Sequence, residues 1–172
     1  MKSEKMKHPI HYDLLESPLG RFLITSNGES ITGLYLENHK GGPAPQVGWH
    51  RDHSQFSETR RQLDAYFSGE LVAFDLPLAP EGTPFQLRVW GELRRIPYGS
   101  TISYGELARN IGNPNASRAV GAANGRNPIS IIIPCHRVIG SNANLTGYAG
   151  GIERKKMLLE METATLARRN GS

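Results

Sequence analysis

The run Pro134-Cys135-His136-Arg137 holds the one cysteine of a 172-residue chain, set between Ile131-Ile132-Ile133 and two side chains able to carry positive charge. The thiolate is the nucleophilic form of cysteine, and nearby cations favour it, so this grouping could attack an electrophilic carbon. A lone cysteine is also common as an inert core residue. Pro134 favours the reactive reading. It forces Ile133 to be extended and removes a backbone donor, so the buried strand predicted over 129–133 stops where the cysteine begins, at a position commonly presented to a cleft. If residues 134–136 stay extended, Cys135 and His136 point to opposite sides, and proton transfer between them needs a bridging water or a sharp turn. The other histidines, at 8, 11, 39, 50 and 53, lie in the first part of the chain. That placement argues against a cysteine hydrolase.

A second grouping could bind nucleic acid. Short helices predicted over 105–112 and 118–125, joined by Asn113-Pro114-Asn115-Ala116-Ser117, fit a helix-turn-helix. The second helix carries Ala119, Gly121, Ala122 and Ala123, with Arg118 and Asn124 as its long polar side chains. A helix that reads sequence offers Arg, Asn or Gln to base edges. A helix of small residues instead lets backbone approach DNA without a code, and the same residues suit a helix packed tightly in a core. A formal charge of +4 mildly favours a polyanionic partner and decides nothing alone.

These residues must be positioned by the elements around them. Residues 10–36 read as a β meander, interrupted by Pro-Leu-Gly and Asn-Gly-Glu turn signals, and 39–53 as a loop. An amphipathic helix is predicted over 57–70, with Leu63, Tyr66 and Phe67 on its inner face and Gly69 as its stop. An edge strand is expected at 71–78 and a linker at 79–82. Thr83-Pro84 starts a helix carrying Phe85, Val89, Trp90 and Leu93 on one side, ending before Pro97. Residues 98–104 read as a turn region. A closing helix over 153–169 turns Met157, Leu158 and Met161 inward. One cysteine allows no internal disulfide, residues 1–15 carry no apolar signal core, and no apolar run approaches the roughly 20 residues that span a bilayer. A cytoplasmic protein is expected.

Taken in order, ISYGELARNIGNPNASRAVGAANGRNPI (102–129), IPCHRVIG (133–140) and LTGYAGG (145–151) closely resemble the O6-alkylguanine-DNA alkyltransferases, direct-reversal DNA repair proteins. Matching segments span about residues 84–162. The resemblance implies an α+β fold: a small ribonuclease-H-like lobe over 1–79, then a mostly helical lobe over 80–172 with the helix-turn-helix. It implies irreversible transfer of the alkyl group from O6-alkylguanine, and O4-alkylthymine, to Cys135. The product is a thioether, which water does not readily cleave, so each molecule acts once, unlike an acyl enzyme.

The remaining roles are likewise what the resemblance implies. His136 acts on Cys135 through a water, and Glu162 orients it, a residue that nothing local separates from Glu160. Tyr104 donates a hydrogen bond to the lesion base and helps rotate its phosphate. Arg118 enters the base stack in place of the flipped nucleotide. Ser103, Ala119, Ala122 and Ala123 join Tyr104 and Arg118 at the minor groove of double-stranded DNA, with little sequence preference. Asn127 holds the turn leading to the cysteine, while Val138, Tyr148, Ala149 and Gly150 line the base pocket. Ala149 departs from the serine often found there, which leaves its backbone N–H alone for the contact. Neither the zinc ligands nor the second acceptor cysteine of some relatives is present, so no metal and no cofactor are expected, and the protein is expected to be monomeric. Two rivals fit less well: a lesion-recognition protein would lack the cysteine, and a helix-turn-helix regulator would show base-reading side chains and not need it.

Overall fold

The computed structural model describes residues 9–37, 42–140 and 148–171. Its first half is a sheet of order β3-β2-β1-β4, built from β1 (His11–Leu15), β2 (Phe22–Ser26), β3 (Ile31–Leu36) and β4 (His50–Arg51). The first three strands form the expected antiparallel meander. β4, inside the segment read as a loop, pairs in parallel with β1 through His11–His50 and Tyr12–Arg51. Two paired residues carry no alternation, which is why no period announced this strand.

Helix α1 (Ser57–Phe67) packs on the sheet through Leu63 and Tyr66, with Thr59 and Gln62 also buried and Phe67 only half-buried. Gly69 follows at φ +81°, a left-handed conformation that ends the helix at low steric cost. The edge strand expected at 71–78 is absent. Only Leu78 bridges to Ile31, because the Gln62 side chain takes the backbone of Asp75, donating to its C=O and accepting from its N–H at 2.9 and 2.8 Å. A side chain has replaced the neighbouring strand.

Helix α2 (Pro84–Leu93) starts on a complete capping box: Thr83 accepts from the Gln86 N–H, and the Gln86 side chain accepts from the Thr83 N–H. Its inner face, Val89, Trp90 and Leu93, is fully buried, and the Trp90 indole donates to the Ala123 carbonyl at 2.8 Å. Helices α3 (Tyr104–Asn110) and α4 (Ser117–Gly125) make the helix-turn-helix, α3 being capped by the Ser103 hydroxyl. Part of the predicted turn region instead forms β5 (Ile102–Ser103), parallel to β6 (Val138–Ile139). The closing helix is α5 (Ile152–Asn170).

One hydrophobic core runs through both halves, from Phe22 and Ile24 in the sheet to Leu107 and Val120 in the helix pair. Backbone hydrogen bonds join them as well. The Leu34 N–H donates to the Pro128 carbonyl and the Ser130 N–H to the Leu34 carbonyl, at 2.8 and 3.0 Å, so the open edge of β3 receives the segment leading to the cysteine. The fold is α+β, a small sheet lobe carrying a mostly helical second part. Among the described residues, no helix is long and apolar enough to cross a membrane.

Candidate active site

Residues 129–133 were expected to form a strand, and they form a folded turn. The buried Asn127 side chain accepts from the Ile129 N–H at 3.0 Å and donates to the Ile133 carbonyl at 2.8 Å, closing the segment on itself. Inside this clasp the Ile132 N–H donates to the Ser130 carbonyl across Ile131, whose φ is +71°. That is a positive-φ γ-turn, rare for a β-branched residue, and the kind of strain that persists only where the surroundings enforce it. Pro134, at φ −81° and ψ 64°, makes a second γ-turn, closed by the Cys135 N–H on the Ile133 carbonyl. A 3-10 turn over Cys135–Arg137 follows. The chain therefore turns sharply at the cysteine, without bringing the thiol into a hydrogen bond with the His136 ring.

Cys135, His136 and Arg137 are all buried, and α5 supplies their partner. Glu162 Oε2 accepts from His136 Nε2 at 2.7 Å, from the Tyr66 hydroxyl at 2.6 Å and from an Arg137 Nη at 3.0 Å. Its Oε1 accepts from Arg137 Nε at 2.8 Å and the Gly99 N–H at 3.3 Å. Burial alone would push this carboxyl up; the hydrogen bonds from His136 and Arg137, with the Arg137 charge, outweigh it and hold Glu162 well below the usual range, as a carboxylate. A carboxylate only accepts, so His136 Nε2 carries the proton and Nδ1 is left with its lone pair. Nδ1 is buried and has no partner among the described residues. Burial also pushes His136 below its ordinary value, which keeps the imidazole neutral and able to take a proton.

Burial raises the thiol of Cys135, opposed by the Asn127 side chain, the Lys155 ammonium and backbone N–H groups. The resting site thus holds a protonated thiol beside a neutral base. Lys155 is fully buried and donates to the Val138 carbonyl at 2.6 Å; burial draws it down to about 8 while the nearby thiol pulls upward. Asn124 donates to the Cys135 carbonyl at 3.3 Å.

The inner face of α5 differs from the one expected. Met157 is 47% exposed and Met161 half-buried; the buried residues besides Leu158 are Lys155, Glu162 and Thr165. Two charged residues seven apart in one stripe are the signal that hydrophobic periodicity passes over. Glu160, by contrast, lies in solvent, 3.9 Å from Lys156. Tyr66 and Lys155 were missed as site residues. Arg137, expected to act on the thiol, is engaged by Glu162, the Ile96 carbonyl at 2.9 Å and the Tyr98 ring.

Of the pocket residues, Val138, Tyr148 and Gly150 are buried and Ala149 is half-buried. Residues 145–147 of that motif lie outside the described residues. Gly150 backs onto Leu36 and the Tyr148 ring so closely that a Cβ there would sit 2.8 Å from each. On the outer surface Tyr104 packs against Gly121, while Arg118, Ala119 and Ala122 face outwards. Ala123, expected beside them, is 3% exposed and belongs to the core, because its carbonyl holds Trp90 and its side chain lies on the inner face of α4. Among the described residues no group of three or more potential ligands could hold a metal.

Comparison with known proteins gives the family. Residues 10–80 match the ribonuclease-like domain, and residues 84–164 the DNA binding domain, of 6-O-methylguanine DNA methyltransferase. A methylated-DNA–protein-cysteine methyltransferase of Methanosarcina acetivorans is 53% identical over 89% of this chain and 98% of its own; one from Haemophilus influenzae is 49% identical over 89% and 86%. The crystal structure of Mycobacterium tuberculosis OGT in complex with DNA superposes with a TM-score of 0.85, at 50% identity, covering 90% of this chain and 94% of that one.

Proposed function

The chain belongs to the 6-O-methylguanine DNA methyltransferase family, and from that premise we propose that Cys135 is its alkyl acceptor, used once per molecule. The protein repairs DNA by transferring an alkyl group from the DNA to a cysteine of its own. The observation that carries the assignment is the ordered set at one turn: a buried thiol, a neutral His136 with its Nδ1 lone pair available, and Glu162 fixing the tautomer through Nε2.

The substrate is double-stranded DNA containing O6-alkylguanine. The damaged nucleotide leaves the stack, since a thiol cannot approach the alkyl carbon in line within the duplex. Cys135 gives its proton, through a water, to His136 Nδ1. Its sulfur then displaces guanine O6 at the saturated carbon: the S–C bond forms, the C–O bond breaks, and the electron pair goes to the base, which Tyr104 stabilises by donating its hydroxyl. Glu162 supports the resulting imidazolium. In the low dielectric of a buried site that support is worth far more than in water.

The exposed Arg118, Ala119 and Ala122 make α4 the face that enters the minor groove, with Ser103 and Tyr104 at its flank. Small side chains allow close approach, and Arg118 fills the place of the flipped base. Val138, Tyr148, Ala149 and Gly150 form the base pocket. The two lobes divide at about residue 80, and the protein acts as a monomer. An acceptor that works once must be kept reduced, which suits the cytoplasm.

The test is a pair of variants. Cys135→Ser is expected to keep affinity for an oligonucleotide containing O6-methylguanine and lose transfer, because the thiol contributes chemistry and not phosphate contacts. Equal loss of both would overturn the assignment. Arg118→Ala is expected to slow repair of duplex DNA much more than reaction with a free O6-alkylguanine base; equal slowing would remove the stacking role.

A further inference from the structure

We infer that the first lobe takes part in the transfer chemistry through Tyr66, a positioning residue that sets the basicity and orientation of His136 by way of Glu162. The inference rests on the proposed transfer to Cys135. Tyr66 comes from α1, 96 positions before Glu162 in the chain, yet its hydroxyl donates at 2.6 Å to the same Oε2 that receives His136 Nε2 at 2.7 Å. Both side chains are fully buried, so bulk solvent does not compete for either bond. The Tyr66 ring is boxed in by Phe67, Phe74 and Tyr98, with ring centroids 5.3, 5.2 and 6.1 Å away, which fixes where the hydroxyl points.

Packing alone does not call for this residue. A phenylalanine would fill the same space, and the hydroxyl adds one donor to a carboxylate that already has His136, both arms of Arg137 and the Gly99 N–H. What the extra donor does is electrostatic. Every hydrogen bond that stabilises the carboxylate makes it a weaker acceptor for the Nε2 proton, and so makes Nδ1 a weaker base. Tyr66 remains a donor throughout, since burial and the Glu162 charge push its own ionisation far up. Of the other groups facing the pair, Arg137 and Lys155 disfavour imidazolium, Lys155 being cationic in the acid range where His136 titrates; burial pushes Tyr148 well up and keeps it neutral; Tyr98 packs edge-on against Tyr66; and Cys135 is the proton's source. Tyr66 therefore limits how strongly Glu162 draws the imidazole toward its charged form, keeping His136 unprotonated until the thiol delivers its proton.

The experiment follows His136 by 15N NMR across pH, beside single-turnover transfer from an O6-methylguanine oligonucleotide, in three proteins: wild type, Tyr66→Phe, and protein with 3-fluorotyrosine at position 66 alone. Tyr66→Phe is expected to move the His136 titration, and with it the acid limb of the rate profile, up by at least about half a pH unit. Fluorotyrosine, a stronger donor that keeps the ring, is expected to move both down. An unmoved His136 titration in both variants would overturn the inference, as would a rate loss equal at every pH, which is what a packing defect produces. Should Tyr66→Phe fail to fold, the fluorotyrosine protein decides alone. If the wild type transfers no methyl group at all, the proposed acceptor role fails, and the 15N titration still reports on Tyr66.

Discussion

Asn127→Ala separates the turn from the chemistry it presents. The Asn127 side chain satisfies two buried backbone groups, the Ile129 N–H and the Ile133 C=O, at 3.0 and 2.8 Å. Truncation orphans the buried Ile129 N–H, at about 1–3 kcal/mol, and takes one of two bonds from the Ile133 carbonyl, which keeps the Cys135 N–H, at about 1 kcal/mol more. Relaxation of Ile131 away from its positive φ offsets part of this, since such strain is of order 1–3 kcal/mol. The expected net loss is about 1–3 kcal/mol, a sizeable part of the roughly 5–15 kcal/mol by which domains are stable. For a chain of this size that is a fall in Tm of about 5 °C. The assay is urea unfolding followed by the fluorescence of Trp90, which is 2% exposed and hydrogen-bonded to the neighbouring α4. Asn127→Asp provides the contrast. It keeps the acceptor for Ile129 but sets a carboxylate oxygen against the Ile133 carbonyl and a negative charge against the thiol, so it should destabilise at least as much and raise the thiol pKa further. A change in stability within about 0.5 kcal/mol for Asn127→Ala, as for an ordinary surface substitution, would refute the clasp.

Three other outcomes are expected. His136 is held below its ordinary value near 6.5 by burial, so the unfolded chain takes up the proton first as pH falls. Its contribution to stability is full above about 6.5 and is lost progressively as pH drops toward the depressed folded value; urea midpoints between pH 7.5 and 5.5 should fall more steeply in wild type than in His136→Asn. Lys155→Met removes the cation that favours the Cys135 thiolate, so the pH at which iodoacetamide labels the thiol should move up; a downward shift or none would contradict that role. Thr83→Ala breaks the capping box of α2 and should lower stability by about 1 kcal/mol in the same urea assay, with no change in transfer rate.

Where local signals coincide, the sequence is enough. The meander, the Thr83-Pro84 helix start and the helix-turn-helix each rest on periodicity together with turn or cap chemistry, and all three are present in the fold. Elements made by side chains standing in for backbone are not legible. Asn127 turns an apolar run that reads as a strand into a folded turn, and Gln62 takes the pairing that 71–78 would otherwise have found. Two-residue strands such as β4 and β5 have no period to read. The thiol and its histidine stand out by proximity in sequence, whereas Glu162 came only from family resemblance. Tyr66 is brought in by tertiary folding, from 96 positions before Glu162, whereas Lys155 lies two turns before Glu162 on the same buried stripe of α5, where an amphipathic reading favours Met157 over both charged residues. Ala123 shows the same limit on α4: residue type suggests a groove, and only the helix's rotation against Trp90 turns it inward.

The most direct test is the intact mass of the protein after incubation with duplex DNA carrying a single O6-methylguanine. A gain of one methylene, located in the peptide containing Cys135 and saturating at one per molecule however much DNA is added, is the predicted result. Tight binding of the same DNA with no change in mass would contradict it, leaving a protein that recognises the lesion and does not remove it.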